Sequence, residues 1–302
     1  MLSSCGLVSR ALVGGAPARI GPPPPGLGAV PVSFASRSGS QMHAWFAPGR
    51  PGAGAVLLLH GVHANRLAMV PRARFLHARG YAVLLPDFRA HGESTGDRTT
   101  FGMLESRDAV AALCMLRTLA PGERVGVIGV SLGGAAALLG PTPLSADAMV
   151  LESVYPTIYL AARNRLHAWL GPLGRLATPA LVRWLEPEVG FDADSLRPID
   201  HIATVHAPVF VLAGTADQYT LIAESRALYA RAQSPKEFWA VEGAAHVDLH
   251  DYAPQEYERR VGTFLERNLA AAEVATPAFP ASHAAADTCD DGPATLRAIG
   301  AN

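Results

Sequence analysis

Lysine is nearly missing from this chain: Lys236 is the only one, and arginine supplies the rest of the 25 basic residues. Such a bias fits codon usage better than a phosphate-gripping cluster. The formal net charge of −1 gives no electrostatic reason to bind nucleic acid or an anionic membrane. Cysteine is scarce as well. Cys5, Cys114 and Cys289 are odd in number and widely scattered, so no disulfide framework or zinc spacing can be drawn from them. Cys114, inside "AALCMLRTL", reads as a small buried hydrophobe. No apolar run reaches the roughly 18 residues that a membrane-spanning helix needs. The opening "MLSSCGLVSRALVGGAPARI" lacks the charged-then-apolar order of a secretory signal. Its "LSSC" resembles a lipoprotein cleavage site, but no long apolar segment precedes it. The expected location is cytoplasmic, with export or tethering through an incomplete signal as the alternative.

What the chain does contain is apolar residue: 49% is hydrophobic over 302 residues, enough for a large core in one α/β domain. The proline run "GPPPPGLGAV" and the Ala-, Thr-, Pro- and Asp-rich end set the expected limits. Residues 1–29 and 271–302 read as flexible tails around a domain at 30–270. Inside it, "PVSFAS" and "MHAWFAP" form a hairpin pattern. "GAVLLLHG", "YAVLLPD", "RVGVIGV", "DAMVLES", "APVFVLAG" and "KEFWAVEG" are short apolar runs, as strands buried on both faces should be. Helical patterns alternate with them: "PRARFLHARG" with Pro71 in its first turn and Gly80 as its stop, "LESRDAVAALCMLRTLAPG", "LGGAAALL", "TLIAESRALYARA" and "APQEYERRVGTFLERNLA". This alternation implies an α/β class with a doubly wound, mostly parallel sheet of about eight strands.

One segment breaks the rhythm. Residues 155–200 hold two helical patterns, "TIYLAARNRLHAWL" and "LATPALVRWLEPEVG", and no strand. The expectation is a small helical cap over the carboxyl ends of the strands, where ligands bind in such sheets. Its aromatics Tyr155, Tyr159, Trp169 and Trp184 either pack the insert onto the core or line an apolar pocket.

The chemistry centres on "VGVIGVSLGGAAALLG". "GVSLG" fits G-x-S-x-G, a weak signal alone, but here it follows a buried strand and opens a helix, as a nucleophile elbow requires. Glycine at 129 and 133 removes side chains that would crowd so sharp a turn. Ser131 is therefore the candidate nucleophile. A serine hydroxyl needs a base, and among 11 histidines His246 in "VEGAAHVDL" stands in a loop just past the last strand pattern. His60 and His91 belong to turns, while His201 and His206 precede a strand at the opposite edge. An imidazole base needs an acid, and Asp217 in "VLAGTADQYT" lies at the same edge as His246, with Glu152 in "VLESVY" as competitor. The order Ser131, Asp217, His246 is the one this strand–helix arrangement uses. Charge on a carbonyl oxygen would be held by two backbone amides, those of Leu132 and Val62.

Taken together, "LLLHGVHANR", "PDFRAHGES", "GVSLGG", "AGTADQYT" and "EGAAHVDL" resemble, in content and order, the α/β-hydrolase superfamily. The likeness spans 30–270 and is closest to small serine esterases, thioesterases and lysophospholipase-like enzymes. It implies the α/β-hydrolase fold, a catalytic set of Ser131, Asp217 and His246, and oxyanion donors at Val62 and Leu132. It also implies that Asp87, Arg89, His91 and Ser94 form a structural turn. His63 and Arg66 border the expected pocket mouth. No cofactor, metal or nucleic acid is expected; the partner is a small-molecule or lipid acyl ester, and membrane contact is not indicated. The expected activity is cofactor-free hydrolysis of a carboxylic ester or thioester through an acyl-enzyme. A membrane-associated lipid or protein deacylase, a small aminopeptidase and a non-catalytic scaffold stand as alternatives.

Overall fold

Strands β1 (Val30–Ala35) and β2 (Gln41–Ala47) form the expected hairpin at one edge of an eight-stranded sheet. The remaining strands are β3 (Ala55–Leu59), β4 (Ala82–Pro86), β5 (Val125–Val130), β6 (Ala148–Glu152), β7 (Val209–Gly214) and β8 (Lys236–Val241). Their spatial order is β8-β7-β6-β5-β3-β4-β2-β1, and every pairing from β4 to β8 is parallel. The coordinates are a computed structural model that describes residues 13–190 and 192–270.

The continuous apolar runs have a direct cause. Successive strand residues point to opposite faces, and both faces are covered. Leu57, Leu59, Val127 and Leu151 pack on one side with α2 (Met103–Leu119), α3 (Leu132–Leu138) and α6 (Ile222–Arg231). Val56, Leu58, Ile128 and Val150 pack on the other with α1 (Val70–Ala78) and α7 (Pro254–Leu269). Tyr257, Val261 and Phe264 on α7 are buried, as their helical spacing predicts.

The expected cap is present between β6 and β7. It consists of α4 (Ile158–Leu170) and α5 (Pro172–Val189) joined at Gly171, whose φ is 60°. α5 starts earlier than its sequence pattern suggests, because Pro172 serves as a first-turn proline. It also runs through Pro179 and Pro187. Gly174 permits close approach of the two helices, since a Cβ there would lie 2.1 Å from Leu166 O. Two hydrogen bonds close the neck of the excursion: Ile158 N donates to Leu196 O (3.0 Å) and Ile199 N to Pro156 O (3.1 Å).

The expected N-terminal tail of residues 1–29 is overturned for its second part. Val13 and Leu27 are buried, and Ala16–Pro17 pairs in parallel with His91–Gly92. Ile20 N and Gly21 N both donate to Glu93 Oε1. Proline bars a helix there but not an extended strap with side-chain acceptors beside it. Residues 1–12 and the expected tail at 271–302 lie outside the described residues. Cys114, expected in the core, is half-buried on α2. Among the described residues no helix is long and apolar enough to cross a membrane.

Candidate active site

The turn from β5 into α3 forces Ser131 to φ 49°, ψ −107°, a conformation that side-chain-bearing residues rarely adopt. Ser131 N donates to Glu152 O on β6 (2.8 Å), and Ser131 O accepts from Ala135 N (3.0 Å). The strain is thus held by backbone hydrogen bonds on both sides. α3 also sits tightly on the sheet: a Cβ at Gly133 would lie 2.3 Å from Leu59 O. Neither backbone can easily yield, so Gly133→Ala should destabilise the protein by about 1–3 kcal/mol, as overpacked sites do. Chemical denaturation checks this, and an unchanged midpoint would refute it.

Asp217 and His246 stand on the loops after β7 and β8. The loops are joined by Thr215 N to Val241 O (3.0 Å), Ala216 N to Ala244 O (2.9 Å) and Gly243 N to Thr215 Oγ1 (2.8 Å). The Asp217 side chain is fully buried, and its Oδ1 accepts from Tyr219 N (2.8 Å) and Thr220 N (2.9 Å). Its Oδ2 lies 2.7 Å from His246 Nδ1. An ionised carboxylate only accepts, so in the neutral imidazole Nδ1 is the nitrogen that carries the proton and Nε2 the one with the lone pair. Ser131 and His246 line one cavity; among the described residues His246 is hydrogen-bonded to Asp217 and not to Ser131.

Glu152, the competing acid, is committed elsewhere. Its carboxylate, 1% exposed, takes Arg72 Nη2 at 2.7 Å and the Tyr257 hydroxyl, while Arg72 Nη1 reaches Asp248 Oδ2 at 2.8 Å. Burial opposes the charge on Arg72, but Glu152 outweighs it and holds the guanidinium pKa well above its ordinary value.

Val62 and Leu132 both line the cavity beside Ser131. Among the described residues neither amide N–H donates a hydrogen bond. Two histidines stiffen the loop that carries Val62. His60 Nε2 accepts from Phe88 N (3.0 Å) while its Nδ1 lies 2.7 Å from Gly61 O. Burial, then the neighbouring His91, pushes the His60 pKa down to about 3, so this imidazole is neutral and is no base. His91 is likewise lowered by burial, and its Nε2 accepts from His63 N (3.1 Å). His63 lines the cavity, as expected. Arg66 does not border it: the side chain is buried and paired with Asp87 and Glu93. Ser94 Oγ donates to Asp87 O (2.7 Å) and Arg89 N to Asp108 (2.9 Å), so the "DFRAHGES" residues form the expected hydrogen-bonded turn.

The cavity has a volume of about 290 Å³. Apart from Ser131, His63, His246, Thr220 and the cap's Arg165 and Glu186, its walls are chiefly apolar, and the cap supplies Ile158, Leu166, Trp169 and Leu181. Tyr155 also lines it, its hydroxyl donating to Phe101 O. Of the four cap aromatics, Tyr155 both packs in the core and lines the cavity, Trp169 lines the cavity, and Tyr159 is exposed. Sequence reading missed how the cap grips the Asp217 loop. Asn164 Nδ2 donates to Tyr219 O (3.2 Å) and to the Glu224 carboxylate (2.8 and 2.9 Å). Arg165 lies 4.5 Å over the Tyr219 ring, which meets His246 edge-on. The sequence signal was Asn164 itself, the one amide side chain in this helical pattern.

Comparison with known proteins places this geometry. Residues 56–260 match the model of the alpha/beta hydrolase family. An uncharacterized protein of Mycobacterium tuberculosis is 30% identical over 220 residues, 72% of each chain. The human alpha/beta hydrolase domain-containing protein 17B is 28% identical over 191 residues, 61% of this chain and 56% of its own. A solved esterase of Pyrococcus furiosus superposes with a TM-score of 0.69 at 28% identity, covering 85% of this chain and 98% of that one.

Proposed function

The chain belongs to the alpha/beta hydrolase family, and from that premise we propose that it is a serine hydrolase cleaving a carboxylic ester or thioester. One observation carries the reading: a serine in a strained strand-to-helix turn shares a cavity with an imidazole whose other nitrogen is anchored on a buried carboxylate. The Pyrococcus furiosus esterase, similar over nearly its whole length, supports the ester class.

In this mechanism Ser131 Oγ attacks the acyl carbon as His246 Nε2 takes its proton. The carbonyl π electrons move onto oxygen, and the Val62 and Leu132 amides stabilise that charge. The tetrahedral adduct collapses, the acyl–leaving-group bond breaks, and His246 returns the proton to the departing oxygen or sulfur. Water, deprotonated by His246, then attacks the acyl-enzyme; the bond from Ser131 Oγ to the acyl carbon breaks, Oγ takes the proton back from His246, and the acid leaves. Asp217 keeps Nδ1 protonated throughout and stabilises the imidazolium. The absence of a hydrogen bond between Ser131 and His246 suits a resting enzyme, in which such contacts are often long. A carboxylate nucleophile, which dehalogenases and epoxide hydrolases of this frame require, has no counterpart at position 131.

A fluorophosphonate probe should label Ser131, and a short p-nitrophenyl ester supplied in excess should slow the labelling. A native protein that excludes the probe from Ser131, or carries it only elsewhere, overturns the assignment.

A further inference from the structure

The tip of the cap holds the most exposed large apolar side chains among the described residues. Around the α4–α5 turn, Trp169 is 58% exposed, Leu170 55%, Leu173 70% and Leu176 78%. Large side chains clustered in this way on a surface mark a binding face. The charge around them is basic on balance. The two cap helices contain Arg163, Arg165, Arg175 and Arg183 against Glu186 and Glu188 near the far end of α5, although the whole chain carries −1. Arg163 pairs with Glu224 and Arg183 with Glu186, but Arg175 is exposed among the leucines and has no acidic partner among the described residues. The patch is also continuous with the cavity, because Trp169 both lines it and reaches solvent.

We infer that this tip docks on an anionic lipid surface, the leucines entering the headgroup boundary and Arg175 meeting lipid phosphate or carboxylate. Four apolar side chains and one cation suit a shallow interfacial contact. A stable protein partner would call for about 20–30 residues on each side. Docking would present the Trp169 end of the cavity to an acyl chain leaving the bilayer. That last step rests on the acyl-ester reading; the docking itself does not.

The test is sedimentation of the full chain with phosphatidylcholine vesicles, with and without phosphatidylglycerol. Binding should require phosphatidylglycerol and fall as salt rises. Leu173→Asp combined with Leu176→Asp should lower the partition coefficient more than tenfold. Arg175→Gln should lower it about fivefold, matching about 1 kcal/mol per basic side chain near an anionic surface. Neither leucine lines the cavity, so the double variant should cleave a short soluble ester like the native enzyme. Ser131→Ala should bind vesicles normally, which separates docking from catalysis. No partition onto phosphatidylglycerol vesicles, or equal partition by the double variant, overturns the inference. So does a native dimer that the double variant abolishes, since that would give the patch to a second copy.

Discussion

Ser131→Ala is expected to lower kcat/KM for a short p-nitrophenyl ester by about four to six orders of magnitude, the loss typical when a serine nucleophile is removed. His246→Ala should lose nearly as much, and the double variant hardly more, because residues acting as one unit are strongly non-additive. The fold should survive. The 131 backbone is held by Glu152 O and Ala135 N, neither of which involves the hydroxyl. Alanine keeps the Cβ and with it the positive φ, so no new strain arises. Circular dichroism and a melting curve would therefore match the native protein. A folded Ser131→Ala variant with near-native turnover would remove the nucleophile assignment and leave a hydrolase frame with its chemistry elsewhere.

The second large effect is on stability. Arg72→Met should cost about 3–5 kcal/mol, because it strands the Glu152 carboxylate in a site closed to water. That is a large share of the roughly 5–15 kcal/mol that holds a domain together. The Tyr257 hydroxyl would remain as a donor, but one neutral hydrogen bond does not replace a paired guanidinium. Asp248 would lose the same partner at lower cost, being partly solvated. Adding Glu152→Leu to Arg72→Met should recover most of the loss, since an apolar pair of similar volume needs no compensating charge. Urea unfolding of the single and double variants reads this directly. A single variant within about 1 kcal/mol of native would show that the ion pair contributes little.

These two results separate what the sequence could reveal from what it could not. The elbow was legible because a β-branched run, a glycine-flanked serine and a small-residue helix each demand the same turn. Asp217 and His246 were legible because short apolar runs placed their loops at one sheet edge. The Arg72–Glu152–Tyr257 cluster was not, since its members lie on separate helices and a strand with no periodic relation. Glu152 consequently looked like a spare acid at a strand end. Arg66 misled in the same way, as only its buried partners Asp87 and Glu93 reveal that it faces inward. The N-terminal strap was hidden by its composition. Proline and glycine signal the lack of a helix, but an extended segment can still be tied down by Glu93 and the Ala90–Gly92 carbonyls.

The closed neck at Pro156–Ile158 and Leu196–Ile199 has a consequence for how such an enzyme diversifies. Both ends of the helical excursion leave and rejoin the chain at one point, so its length and lining can change without disturbing strand register. The helices are in effect a replaceable cassette, and grafting one from a relative at those residues is the natural route to altering what the cavity admits. The contact from Asn164 to Tyr219 O sets the condition: a graft that drops it would loosen the Asp217 loop while leaving the sheet whole.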